Sequence, residues 1–123
     1  MNGLKRYETV FILDSRLMQK ETEKLFNDVK DFIIKNNGDI IEAKSIGLLK
    51  LEYEINKNSY GYYYFIEFSL DPGCISSLRI FYKRNESFIR TLVCKLNKDG
   101  IKYNDMRRKN NWKIINKKNF LTQ

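Results

Sequence analysis

The run from Arg6 to Leu13 (RYETVFIL) is dense in aromatic and β-branched residues and stops at Asp14-Ser15, which is the pattern of a strand. Leu25, Phe26, Val29, Phe32 and Ile33 then recur at helical spacing among charged neighbours, and Asn36-Asn37-Gly38 supplies a stop, so the segment predicts an amphipathic helix. Between Asp39 and Ile55 apolar residues alternate in two registers that meet at Gly47, as a long strand with a bulge at that glycine would show. Asn56-Lys57-Asn58-Ser59 has turn chemistry, and Tyr60 to Leu70 (YGYYYFIEFSL) completes a hairpin. Asp71-Pro72 reads as an N-cap and first helical residue, Ile75, Leu78, Phe81 and Tyr82 as a second amphipathic helix ending near Asn85, and Ser87 to Leu96 as a fourth strand.

The order β-α-β-β-α-β predicts an α+β fold, the ferredoxin-like split βαβ sandwich. Right-handed crossovers place the first and third strands at the centre of a four-stranded antiparallel sheet with both helices on one face. Alternation turns Tyr7, Thr9, Phe11 and Leu13, with Tyr62, Tyr64, Ile66 and Phe68, toward the helices. Val10, Ile12, Tyr63 and Phe65 then share the other face with Glu67 and Ser69, where four apolar side chains form a candidate docking patch. The alternative is that the C-terminal residues fold back over that patch within the same chain.

With 123 residues, 42% of them hydrophobic, the chain fits one compact domain and is apolar enough to bury a core. Its apolar runs fall far short of the roughly 18 to 20 residues a membrane span needs, and no cleavage pattern follows the stretch after Lys5-Arg6, so a cytosolic or organellar protein is expected. There is no His, which removes the usual general base and the commonest zinc ligand, and Cys74 and Cys94 read as small core residues in a reducing compartment. Sixteen Lys, thirteen Asn and fourteen Ile against one Ala suggest an AT-rich genome, so the net charge of +8 is inflated by codon bias. Its distribution is more telling. Residues 1–96 carry a net charge of +2 and residues 97–123 carry +6, which divides the chain into a nearly neutral domain and a basic C-terminal tail. The tail has few apolar residues among many charges and is expected to order only against a partner, with Trp112 and the Arg107-Arg108-Lys109 cluster as anchors.

Three functional classes suit this fold. An RNA-recognition-motif module stacks bases on aromatic residues of the third strand, and Gly61, Tyr62, Tyr64 and Phe65 match that signature, while Tyr60, Tyr63 and Glu67 depart from it. A small enzyme or ligand-sensing domain has less support: there is no Gly-rich phosphate loop, no nucleophile–His pair is possible, and the acidic residues sit beside lysines at helical spacing, so no catalysis, cofactor or metal is expected.

The third class enters through a resemblance. Arg6-Tyr7-Glu8-Thr9-Val10-Phe11-Ile12-Leu13 resembles the opening strand of the bacterial-type small-subunit ribosomal protein six family. Gly47, Lys50, Leu51, Tyr53, Ile55, Lys57, Gly61 and Tyr63 follow in that family's order, and residues 83–92 (KRNESFIRTL) resemble the stretch after its second helix. The resemblance implies a structural protein of the small ribosomal subunit that binds the central, platform domain of small-subunit ribosomal RNA together with small-subunit ribosomal protein eighteen. Phosphate contacts would then supply affinity. Lys50 and Lys57 on the hairpin, Arg84 and Arg90 around the last strand, and Arg107, Arg108 and Lys109 in the tail are the expected RNA contacts; Val10, Ile12, Tyr63, Phe65 and Trp112 are the expected partner contacts.

Overall fold

A computed structural model describes residues 3–109 of the chain. The elements are β1 (Lys5–Asp14), α1 (Gln19–Lys35), β2 (Asp39–Ile55), β3 (Asn58–Leu70), a 3₁₀ turn (Pro72–Cys74), α2 (Ile75–Lys83), β4 (Phe88–Lys95) and α3 (Lys98–Lys109). All strand pairs are antiparallel in the order β2-β3-β1-β4, the ferredoxin-like arrangement with β1 and β3 central. The second helix differs slightly from expectation: Asp71 does accept a backbone N–H, from Gly73 at 2.9 Å, but what it caps is the 3₁₀ turn that leads into α2.

Local chemistry explains where the elements stop. Asn37 takes a left-handed conformation (φ 65°), and the Gly38 and Asn37 N–H groups return to the Ile33 and Ile34 carbonyls at 2.8 and 3.0 Å, which closes the last turn of α1. Gly47 has φ 120° at a break in the β2–β3 register, so the expected bulge is present. The hairpin turns on Asn56 and Lys57, both at positive φ (48° and 66°), the geometry that matches the twist of two antiparallel strands. The buried Asn58 then ties this tip to the end of β1, its side-chain oxygen accepting from the Ser15 N–H at 3.1 Å and the Ser15 hydroxyl at 2.6 Å.

The core lies between the sheet and the pair α1 and α2. Phe11, Leu13, Val29, Ile33, Ile66, Phe68, Leu70 and Leu78 have no exposure, so the face assigned to the helices is the buried one. Phe11 stacks on Tyr64 at 5.3 Å and meets the Phe88 ring edge-on at 5.4 Å. Thr9 donates to the Leu92 carbonyl at 2.8 Å and therefore accepts from the Tyr82 hydroxyl, also at 2.8 Å; burial raises the pKa of that phenol, while the Thr9 bond pulls the other way.

The opposite face is where expectation fails. Residues 98–109 do not wait for a partner: they form α3, which folds back onto the helix-free side of the sheet, but over Glu8, Glu42 and Glu67 rather than over the apolar patch that the fold-back alternative would cover. Apolar content was the wrong measure of docking, because α3 is held chiefly by polar contacts and Asn104 is its buried residue. Trp112 lies outside the described residues. Cys94 is exposed on this sheet and Cys74 is half-buried, so the thiols are not both core residues, although both are free.

Candidate nucleic-acid and partner interface

The register places Glu67 of β3 directly opposite Glu8 of β1 on one side and Glu42 of β2 on the other. Three carboxylates in a row across a sheet repel one another unless cations separate them. Arg6 Nη1 donates to Glu67 Oε2 at 2.7 Å, and Arg108 Nη1 donates to Glu67 Oε1 at 2.6 Å and to Glu42 Oε1 at 3.1 Å. The Asn104 side-chain amide donates to Glu8 at 2.8 Å and to Glu67 at 3.2 Å, and Lys44 pairs with Glu42 at 3.1 Å. Glu67, fully buried, is thus bonded by two guanidinium groups and an amide. Burial pushes the Glu42 pKa upward, but the bonds and charges of Lys44 and Arg108 outweigh it and leave the carboxyl below its ordinary value. Burial lowers the Arg108 pKa less than Glu67, Asp105 and Glu42 raise it, so its charge is secured.

Further along the strands from these carboxylates lies the predicted apolar patch. Val10 stands opposite Phe65 on one side and Leu92 on the other, and Ile12 opposite Tyr63 and Arg90. The four expected partner contacts within the described residues therefore come together. Val10, Tyr63 and Phe65 are half-buried, Ile12 is buried, and Leu92 remains 57% exposed. Leu51 joins from β2 and is also buried, and Gly61 permits the close packing, since a Cβ there would collide with Ile12 and come within 3.6 Å of Leu51. The sequence reading left out both Leu51 and Leu92, although the alternation of their own strands marked them.

The expected RNA contacts separate into two groups. Leu13 pairs with Phe88, Asp14 pairs with Gly61, and the Asp14 N–H bonds the Ser87 carbonyl at 2.9 Å, so the hairpin tip and the start of β4 share one end of the sheet. Lys50, Lys57, Arg84 and Arg90 cluster toward that end, all exposed. Arg107, Arg108 and Lys109 belong to α3, near the other end of β1. Arg107 is half-buried with its guanidinium 5.7 Å from the Tyr103 ring, and Lys109 is exposed. Arg108 points inward, committed to Glu67, Glu42 and Asp105. At the last aromatic position of the RNA-recognition-motif signature the sheet carries this buried, ion-paired Glu67, which offers a base no stacking surface. No described helix is long and apolar enough to cross a membrane, and the described residues contain no cluster of three potential metal ligands.

Known proteins share this fold and sequence pattern. Residues 6–95 match the family described as ribosomal protein S6. The small ribosomal subunit protein bS6 of Helicobacter hepaticus is 37% identical over 117 residues, covering 94% of this chain and 80% of that protein. The protein of the same name from Phocaeicola vulgatus is 36% identical over 105 residues, covering 85% of this chain and 92% of its own length. The crystal structure of 30S ribosomal protein S6 from Thermotoga maritima superposes with a TM-score of 0.74 at 28% identity, covering 86% of this chain and 96% of that one. With the family match spanning β1 to β4 and the same fold in a solved relative, the chain belongs to the ribosomal protein S6 family.

Proposed function

We propose that the protein is a structural component of the small ribosomal subunit in the cytoplasm, binding the central domain of the subunit's RNA together with small-subunit ribosomal protein eighteen. The observation that carries this reading is the family match across the whole sheet, residues 6–95. The geometry is suited to bracing rather than to chemistry. Val10, Ile12, Tyr63 and Phe65 offer a semi-exposed apolar strip of the kind a protein partner covers. The cations at the hairpin end, Lys50, Lys57, Arg84 and Arg90, flank that strip and would meet RNA phosphates, with Arg107 and Lys109 contributing from α3. Arg108 acts in this reading by holding α3 in place.

Sedimentation tests the reading. The protein from its native host should travel with small ribosomal subunits in a sucrose gradient, and Phe65→Ser should weaken its association with the partner protein while leaving its circular dichroism unchanged. A native protein found only at the top of the gradient would overturn the assignment.

A further inference from the structure

The ion-pair network of α3 shows which of the helix's charges are already engaged and which face solvent. Asp105, one of two acidic residues in this helix, is drawn to Arg108 at 2.5 Å and lies 3.8 Å from Arg6. The other, Asp99, sits in the first turn, where the helix dipole favours a negative charge. None of the ion pairs among the described residues uses Lys98, Lys102 or Lys109. These three lysines, all exposed, line one shallow groove of about 340 Å³ along the helix with Ile101, Asp105 and Met106. Their spacing of four and seven residues keeps them on one side of the helix, in a row about 16 Å long at 1.5 Å per residue.

We infer that this outer face of α3 is a second RNA-backbone site, separate from the hairpin end, with Lys98, Lys102 and Lys109 contacting phosphates. The inference rests on the ribosomal reading for the identity of the polyanion. Charge complementarity carries it: inward pairing cancels the acidic residue that would otherwise interrupt the row. An anionic membrane is the weaker occupant, because Ile101 and Met106 are too little apolar surface to insert into a bilayer. The two cationic regions stand at opposite ends of the sheet. Glu8, beneath α3, and Asp14, beside the hairpin end, are six residues apart along β1, about 20 Å at 3.3 Å per residue. RNA phosphates held at both places would bracket the apolar strip between them.

The test compares salt dependence of binding to a transcribed central-domain fragment of small-subunit ribosomal RNA, using the full chain in the presence of small-subunit ribosomal protein eighteen. Replacing Lys98, Lys102 and Lys109 together by Gln should lower the slope of log affinity against log salt by about two to three units, at roughly 0.7 to 0.9 per phosphate contact. Lys50→Gln with Lys57→Gln should lower it by a further one to two, roughly additively. A triple variant with the unaltered slope, beside a hairpin variant that loses slope, overturns the α3 site and leaves the ribosomal reading standing. Failure of the unaltered chain to bind the fragment even with the partner protein present overturns both, whereas preference of the α3 lysines for phosphatidylserine vesicles over the fragment overturns the α3 site alone. Amide exchange of α3 in the triple variant keeps the result interpretable: protection equal to that of the unaltered chain shows that the helix is still docked.

Discussion

The two faces of the sheet are covered by different physics. On one, α1 and α2 bury a continuous apolar core, in which Phe11 alone touches the rings of Phe26, Tyr64, Tyr82 and Phe88. On the other, α3 is held by a carboxylate row and the cations that neutralise it. Apolar burial is indifferent to pH and weakly sensitive to salt, whereas partly exposed ion pairs respond to both. One face should therefore behave as the permanent body of the protein and the other as a cover that conditions can loosen.

The harshest way to break the first face is Phe11→Ala, which should cost about 3 to 5 kcal/mol in urea or thermal unfolding, because the ring is wholly buried and its removal leaves a cavity among the rings around it. Shortening the chain to residues 1–96 attacks the second face. The sequence alone suggests a loss below about 1 kcal/mol, as for a surface truncation. Removing α3 strips Glu67 of two of its three donors, Asn104 and Arg108, so the structure sets the expected loss at about 1 to 3 kcal/mol instead. A calorimetric comparison of the two chains decides between these figures.

A smaller effect isolates the hairpin tip from both faces. Lys57 holds a left-handed backbone that glycine adopts without cost, so Lys57→Gly should raise stability by about 1 kcal/mol while removing one charge from the hairpin end. Its RNA-binding slope should fall by roughly 0.7 to 0.9 if the side chain meets a phosphate. Gain in stability with no change in slope would assign Lys57 to the turn alone.

Acid should separate the two faces most gently. Glu42 has a folded pKa below its ordinary 4.5, so the stability it contributes is complete above that value and fades as pH falls through the lower folded one. Asp14, held at about 2 by Arg16 against an ordinary 3.8, contributes in the same direction at the hairpin end, between those two values. Amide exchange as pH falls from 7 to 3, corrected for the intrinsic pH dependence of exchange, should show α3 losing protection while β1 and β3 keep theirs. Simultaneous loss across all three would mean that the faces are one cooperative unit.

Much of the geometry of the candidate site is legible in the sequence, and the reason is local. The apolar strip follows from alternation within β1 and β3, and Val10 and Ile12 do stand opposite Phe65 and Tyr63 because those two strands are neighbours in the topology that the element order implies. The bulge at Gly47 was equally readable, since a change of register leaves its mark in the order of apolar residues. The inward turn of Arg108 is not legible in the same way. In a run of three basic residues nothing local marks the one that turns inward. That depends on Glu42 and Glu67 meeting 66 and 41 residues away in sequence.

By itself, then, the sequence determined the elements, their order, the faces of each strand and the kinship that residues 6–95 carry, since each of these is written in periodicity and short motifs. Only the tertiary structure decided that Glu8, Glu42 and Glu67 form one row, that Arg6 and Arg108 neutralise it, and that the start of the basic tail is a docked helix. Strand register sets those distances, and a charge has no partner until register brings one within reach. The lysines left facing outward on α3 are a consequence of that pairing.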